Sequence, residues 1–272
     1  MRLLHDRVLA LAALLVAAAL GICVLGPWIA PYDPLTQSIA ARLQGPGALH
    51  WLGTDQLGRD ILARIFFGTR ATLIGCVLAV GFALGVGGAI GIAAAFLGGW
   101  FERIAMRIMD VIFAFPVMLL AIGIIAMLGP RDASATVAIA IVYTPIFARL
   151  LRGPALVICE TEYVKAARAI GASPQAILFR HVVPNLASVI LVQTSLLLSS
   201  AILVEASLSF LGLGAQPPAP SLGLMLAEGR NFLMLSPWSA VFAGIAILLL
   251  AFGFNLLGDA LRDRLDPRLA RT

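Results

Sequence analysis

Lys165 is the only lysine in the 272 residues, and Ala166 follows it. A phosphate-binding loop needs Gly-x-x-x-x-Gly-Lys with Ser or Thr next, so the chain carries no nucleotide loop of its own. The three histidines, His5, His50 and His181, fall in distant segments with no Cys or carboxylate beside them at ligand spacing. No metal site is expected from them. Neither Gly-x-Ser-x-Gly nor His-Glu-x-x-His occurs, which leaves hydrolysis without candidate residues. Cys23, Cys76 and Cys159 imply no disulfide framework and read as small buried hydrophobes.

Chemistry of a different kind is concentrated between Arg149 and Asn185, about 35 residues carrying Arg152, Glu160, Glu162, Lys165, Arg168 and Arg180. Tyr163, Ala166, Ala167 and Ile170 recur at i, i+3, i+4 and i+7, one apolar face of a helix. Gly171 breaks that helix. Ser173 and Pro174 then supply an N-cap and a first helical residue for a second short helix through Ile177, Leu178 and His181, which Pro184 is expected to stop. The predicted object is a bent pair of short helices. A second patterned stretch, Gly53, Thr54, Asp55, Gly58, Arg59 and Asp60, reads either as a turn closed by Asp–Arg hydrogen bonds or as an element near a partner's dock. Asp60 to Thr69, with Ile61, Leu62, Ile65 and Phe66, is expected to be a short amphipathic helix at the interface.

The elements that must position these segments are membrane spans. Hydrophobic residues make up 61% of the chain and charged residues 12%, against about 25% charged in ordinary soluble domains. Uncharged runs of spanning length, needing about 20 residues each, predict six crossings near 8–31, 71–99, 111–129, 133–150, 184–205 and 236–257. The first run exceeds the roughly 7–15 residues of a signal core and is read as a span. Gly81, Gly85, Gly87, Gly88 and Gly91 form a packing seam in the second. Residues 206–227, with Pro217, Pro218 and Pro220, are expected to be irregular or re-entrant.

No charge falls at the middle of a predicted span; Glu205, at the outer end of the fifth, is the nearest and reads as an interfacial charge. Buried ionisable groups cost at least about 2.5–3.5 kcal/mol each, and self-powered transporters keep them because they carry the coupling. The driving force must therefore come from a partner, unless the chain is a passive channel. Of the nineteen Lys and Arg, only Arg42, Arg59, Arg64, Arg70, Arg131 and Arg230 fall on the side opposite the N-terminus. That bias places both termini in the cytoplasm. The net charge of +5 is explained by the same arginines, without nucleic acid.

The segment from Glu162 through Ala166, Ala167, Gly171, Ala172 and Ser173 to Pro184 and Asn185 resembles the coupling loop of bacterial ABC importer permeases. Lys165 stands where that family has Glu. Leu52 to Asp60, Leu208 to Gly214 and Asn255 to Pro267 are similar to the peptide/nickel branch, C-type subunit, in family order. The resemblance implies an all-α integral membrane protein of the type I importer kind, a single permease domain over 1–272 in the bacterial inner membrane. It implies a homologous permease partner, two cytoplasmic ATPases holding ATP and magnesium, an extracytoplasmic solute-binding protein, and no cofactor on this chain. Residues 152–184 would form the coupling loop. The implied cargo is di- or oligopeptides, with nickel chelates second. An ATP-independent channel or secondary transporter is the remote alternative.

Overall fold

The computed structural model describes residues 2–265. Nine helices organise them: α1 (Arg2–Ile29), α2 (Ile61–Leu97), α3 (Gly99–Phe113), α4 (Val117–Leu128), α5 (Asp132–Cys159), α6 (Glu162–Ala169), α7 (Pro174–Phe210), α8 (Leu222–Arg230) and α9 (Trp238–Leu265). Five of them, α1, α2, α5, α7 and α9, are long and apolar enough to cross a bilayer. The bent pair α3 and α4 brings the total to six if it counts as one crossing.

Four boundaries differ from the sequence reading, each for a physical reason. The predicted interfacial helix at 60–69 is the first part of α2, because the Asp60 side chain accepts from the Ala63 amide at 2.8 Å and caps the span itself. α2 is therefore 37 residues long, with a π-helical turn at Leu84–Gly88. The third crossing is broken: helix ends at Phe113, Pro116 lacks an N–H, and α4 leaves at 87° to α3. Pro184 does not stop the chain. A π-turn at Leu178–Val182 and a 3-10 turn at Pro184–Leu186 carry α7 through this proline, with the Asn185 side-chain Nδ2 donating to His181 O at 2.6 Å beside the N–H that Pro184 lacks. Of 206–227, expected to be irregular or re-entrant, only 211–221 is irregular: α7 runs on to Phe210, and α8 begins at Leu222 because the Ser221 side chain caps it.

The core lies between α2, α5, α7 and α9, with α1 packed against α9 and α2 at the edge. The glycine seam divides. A Cβ at Gly87 would overlap Thr144 O and one at Gly91 would overlap Ala148 O, and Gly88 packs on Leu151, so these three seat α2 against α5. Gly81 and Gly85 have nothing within 4 Å of a Cβ and take no part. A smaller second core, including Ile92, Leu151, Cys159, Val164, Ala167 and Ile177, fixes the helix pair around Gly171 to the ends of α2 and α5.

Candidate functional site

At one end of the bundle the chain forms the bent pair. α6 ends in a glycine cap: Gly171 has φ +79, its amide donates to Arg168 O at 3.1 Å, and the Ala172 amide donates to Ala167 O at 3.0 Å. Ser173 Oγ accepts from the Ala176 amide at 3.2 Å, so it caps the second short helix, and Pro174 is its first residue. Val164 and Ala167 turn inward onto the second core. Tyr163 is 46% exposed and Ile170 85% exposed, Ala166 lies beside them, and Phe179 adds a further exposed ring. The apolar face read from the sequence is thus split: Ala167 joins this chain's own packing, while Tyr163, Ala166 and Ile170 face outward.

Charge at this end is mostly paired. Lys165 Nζ lies 3.6 Å from Glu160 Oε2 and 3.6 Å from Glu162 Oε1, so the residue standing in the family's Glu position is an exposed cation between two exposed carboxylates. Such pairs contribute under about 1 kcal/mol. The Arg168 guanidinium sits 5.6 Å from the Phe96 ring, tying α6 to the last turn of α2. Space around Gly171 is open, with nothing within 4 Å of a Cβ position, and Pro184 is exposed at the far edge.

At the opposite end the glycine-rich motif folds into a buried knot. Gly53 and Gly58 have φ +82 and +73, and side chains there would overlap Gln44 O and Ser38 O. Only glycine allows that approach. Asp55 accepts from the Arg59 side chain at 2.7 Å and from Arg64, and Glu228 of α8 accepts from Arg59 at 3.0 Å and Arg64 at 3.3 Å. Thr54 accepts from the Gln44 amide at 2.9 Å and donates to Ala41 O. Asp60 holds His50 Nδ1 at 2.9 Å. Thr54, Asp55, Arg59 and Asp60 are all buried, so they brace the loop against α2 and α8. Arg64, Glu228 and His50 complete the knot and were not singled out from sequence. An arginine one turn after the Asp60 cap was the available sign for Arg64; Glu228, 169 residues from Arg59, had none.

Glu205 is buried, not interfacial. Its carboxyl group accepts from Thr72 Oγ1 at 2.9 Å and from Ser209 Oγ at 2.7 Å, because α7 continues to Phe210 and α8 packs across its end. The charged tail residues Asp259, Arg262, Asp263 and Arg264 lie on the last turns of α9, whereas Asp266, Pro267, Arg268 and Arg271 lie outside the described residues.

With this geometry in view, comparison with known proteins is consistent over the whole chain. The family model described as the inner membrane component of binding-protein-dependent transport systems matches residues 85–271. The N-terminal TM domain of oligopeptide transport permease C matches residues 1–46. The glutathione transport system permease protein GsiD of Pectobacterium atrosepticum is 45% identical over 269 residues, 98% of this chain and 89% of the relative. GsiD of Escherichia coli O1:K1 is 45% identical over 259 residues, 95% and 86%. An inward-facing structure of the MetNI methionine ABC transporter has a TM-score of 0.61 at 18% identity, over 76% of this chain and 96% of that one, a likeness of fold. The chain belongs to the inner-membrane components of binding-protein-dependent transport systems, and is a multi-pass permease subunit of an ABC importer.

Proposed function

We propose that the bent pair around Gly171 is where separate ATPase subunits dock, and that the chain itself performs no catalysis and holds no cofactor. The observation that carries this is the outward apolar set Tyr163, Ala166 and Ile170 beside the open cap at Gly171, on a helix pair rooted in the ends of two spans. An exposed apolar patch at the end of a rigid bundle fits a protein groove. Glu162, Ala172, Ser173 and Pro184 frame that patch, and Ala167 anchors it from below. The partners are two ATPases carrying ATP and magnesium, a homologous permease, and a solute-binding protein on the other side. The Gly171 end and both termini face the cytoplasm, in keeping with the arginine bias.

The cargo we propose is a small peptide, di- or oligopeptide in class and including glutathione, the compound for which the 45% identical relatives are named. Nickel chelates rest on the shared branch motifs alone. The test is co-purification of the chain with its ATPase and uptake in proteoliposomes containing binding protein. Ile170→Glu should release the ATPase and abolish ATP-dependent peptide uptake while the permease keeps its thermal stability; Gly171→Trp should do the same at some cost in stability, because its φ of +79 suits glycine. Retention of the ATPase by both variants, or uptake by the chain alone, would overturn the reading.

A further inference from the structure

Helix α3 packs against the end of α2 and against α5. It makes an angle of 87° with α4, which packs against the spanning helix α5; with α4 as the crossing half of this bent pair, α3 would lie along the membrane plane. Its position is at the Gly171 end: it starts two residues beyond α2, and Glu102 accepts from Arg152 Nε at 2.7 Å and Asp110 from Arg149 at 2.5 Å. Those two ion pairs fasten one edge of α3 to α5, with Met109 buried between them.

The other edge is unattached. Arg103 and Arg107, one turn apart, are both exposed, and among the described residues neither has a carboxylate within ion-pair distance; Arg103 Nε donates only to Gly99 O, at 3.2 Å. Trp100, Ile104 and Ile108 line a shallow groove with these two arginines, and all three apolar side chains are exposed, Trp100 by 71%. The groove therefore joins two like charges to an apolar strip. Its complement must be anionic at one end and apolar at the other.

We propose that the Arg103–Arg107 pair of α3 binds the phosphate of an anionic phospholipid in the leaflet at the Gly171 end, with Trp100, Ile104 and Ile108 against its acyl chains. An in-plane amphipathic helix sits at the headgroup boundary. There guanidinium groups bind phosphate through paired N–H donors, and an indole is at home with one edge wet and one apolar. The requirement for anionic charge follows from the two unpaired cations. This site is independent of the ATPase dock, since none of its residues belongs to the bent pair.

The intact importer, reconstituted in nanodiscs of phosphatidylcholine with phosphatidylglycerol, provides the test. Native mass spectrometry should show phosphatidylglycerol retained by the wild type, and retention in Arg103→Gln/Arg107→Gln weakened roughly tenfold, with no change in phosphatidylcholine retention. Millimolar inorganic phosphate should not displace the lipid. The Trp100 fluorescence, isolated as the difference between wild type and Trp100→Phe, should be quenched by brominated phospholipid. This second reading needs no arginine variant to fold. Unchanged phosphatidylglycerol retention in the double variant, displacement by free phosphate, or a Trp100 unquenched because a protein subunit covers it would each overturn the proposal.

Discussion

Asp55 accepts from two buried guanidinium groups at once. Replacing it by Asn leaves Arg59 and Arg64 with Glu228 as their only carboxylate partner in the knot, and a buried ion pair broken from one side costs about 3–5 kcal/mol. Asp55→Asn should therefore lower the melting temperature in detergent sharply. Glu228→Gln should lower it less, because Glu228 is 18% exposed against 1% for Asp55, so water can reach the arginines on that side. A second contrast concerns Glu205: glutamine can accept from one of Thr72 and Ser209 through Oε1 and donate to the other hydroxyl through Nε2, whereas Glu205→Leu strands both hydroxyls in the core, at about 1–3 kcal/mol. The same thermal assay should find the glutamine variant near wild type and the leucine variant clearly destabilised. At this scale the sequence revealed half of each arrangement. Gly53, Gly58 and Asp60 announce a tight turn and a cap through local rules, but Arg64 to Glu228 spans 164 residues, and no local rule pairs residues that distant. Glu205 was read as interfacial because the end of α7 was placed one turn too early.

Helix by helix, the apolar runs point to the segments that form long apolar helices, because spanning length and lack of charge are properties of a contiguous string. Where helices bend was less visible. The break at Ala114 to Pro116 and the unbroken passage through Pro184 both involve proline, and the outcome depends on whether neighbouring turns can widen, as the π-turn at Leu178–Val182 does. The glycine run in α2 makes the same point: periodicity cannot say which glycines face a partner helix. Gly91→Val should push α2 off Ala148, giving poor yield and a broad size-exclusion peak. Gly81→Ala meets nothing and should elute as wild type, with stability unchanged or raised by up to about 1 kcal/mol from the helix propensity of alanine.

For the whole molecule, the two patterned segments named from sequence lie at opposite ends of one bundle, the knot where α2 begins and the bent pair where it ends. Single cysteines at Gly47 and Ser173, with Cys23 replaced by Ala, should react with a membrane-impermeant maleimide from opposite sides: Gly47→Cys in intact cells, Ser173→Cys only in inverted vesicles. The reverse pattern would invert the proposed orientation. Two helices of 37 residues, α2 and α7, share this path, and each measures about 55 Å in a hydrocarbon layer of about 30 Å. They are joined by the hydrogen bond from Thr72 to Glu205, which lies about 16 Å from the start of α2 and about 38 Å from its end at 1.5 Å per residue. The second core clasps the same two helices again, Ile92 and Ala95 of α2 against Ile177, Val182 and Leu186 of α7. Held at both places, the pair forms a single beam whose arm on the Gly171 side of the Thr72–Glu205 bond is more than twice as long as its arm toward the knot.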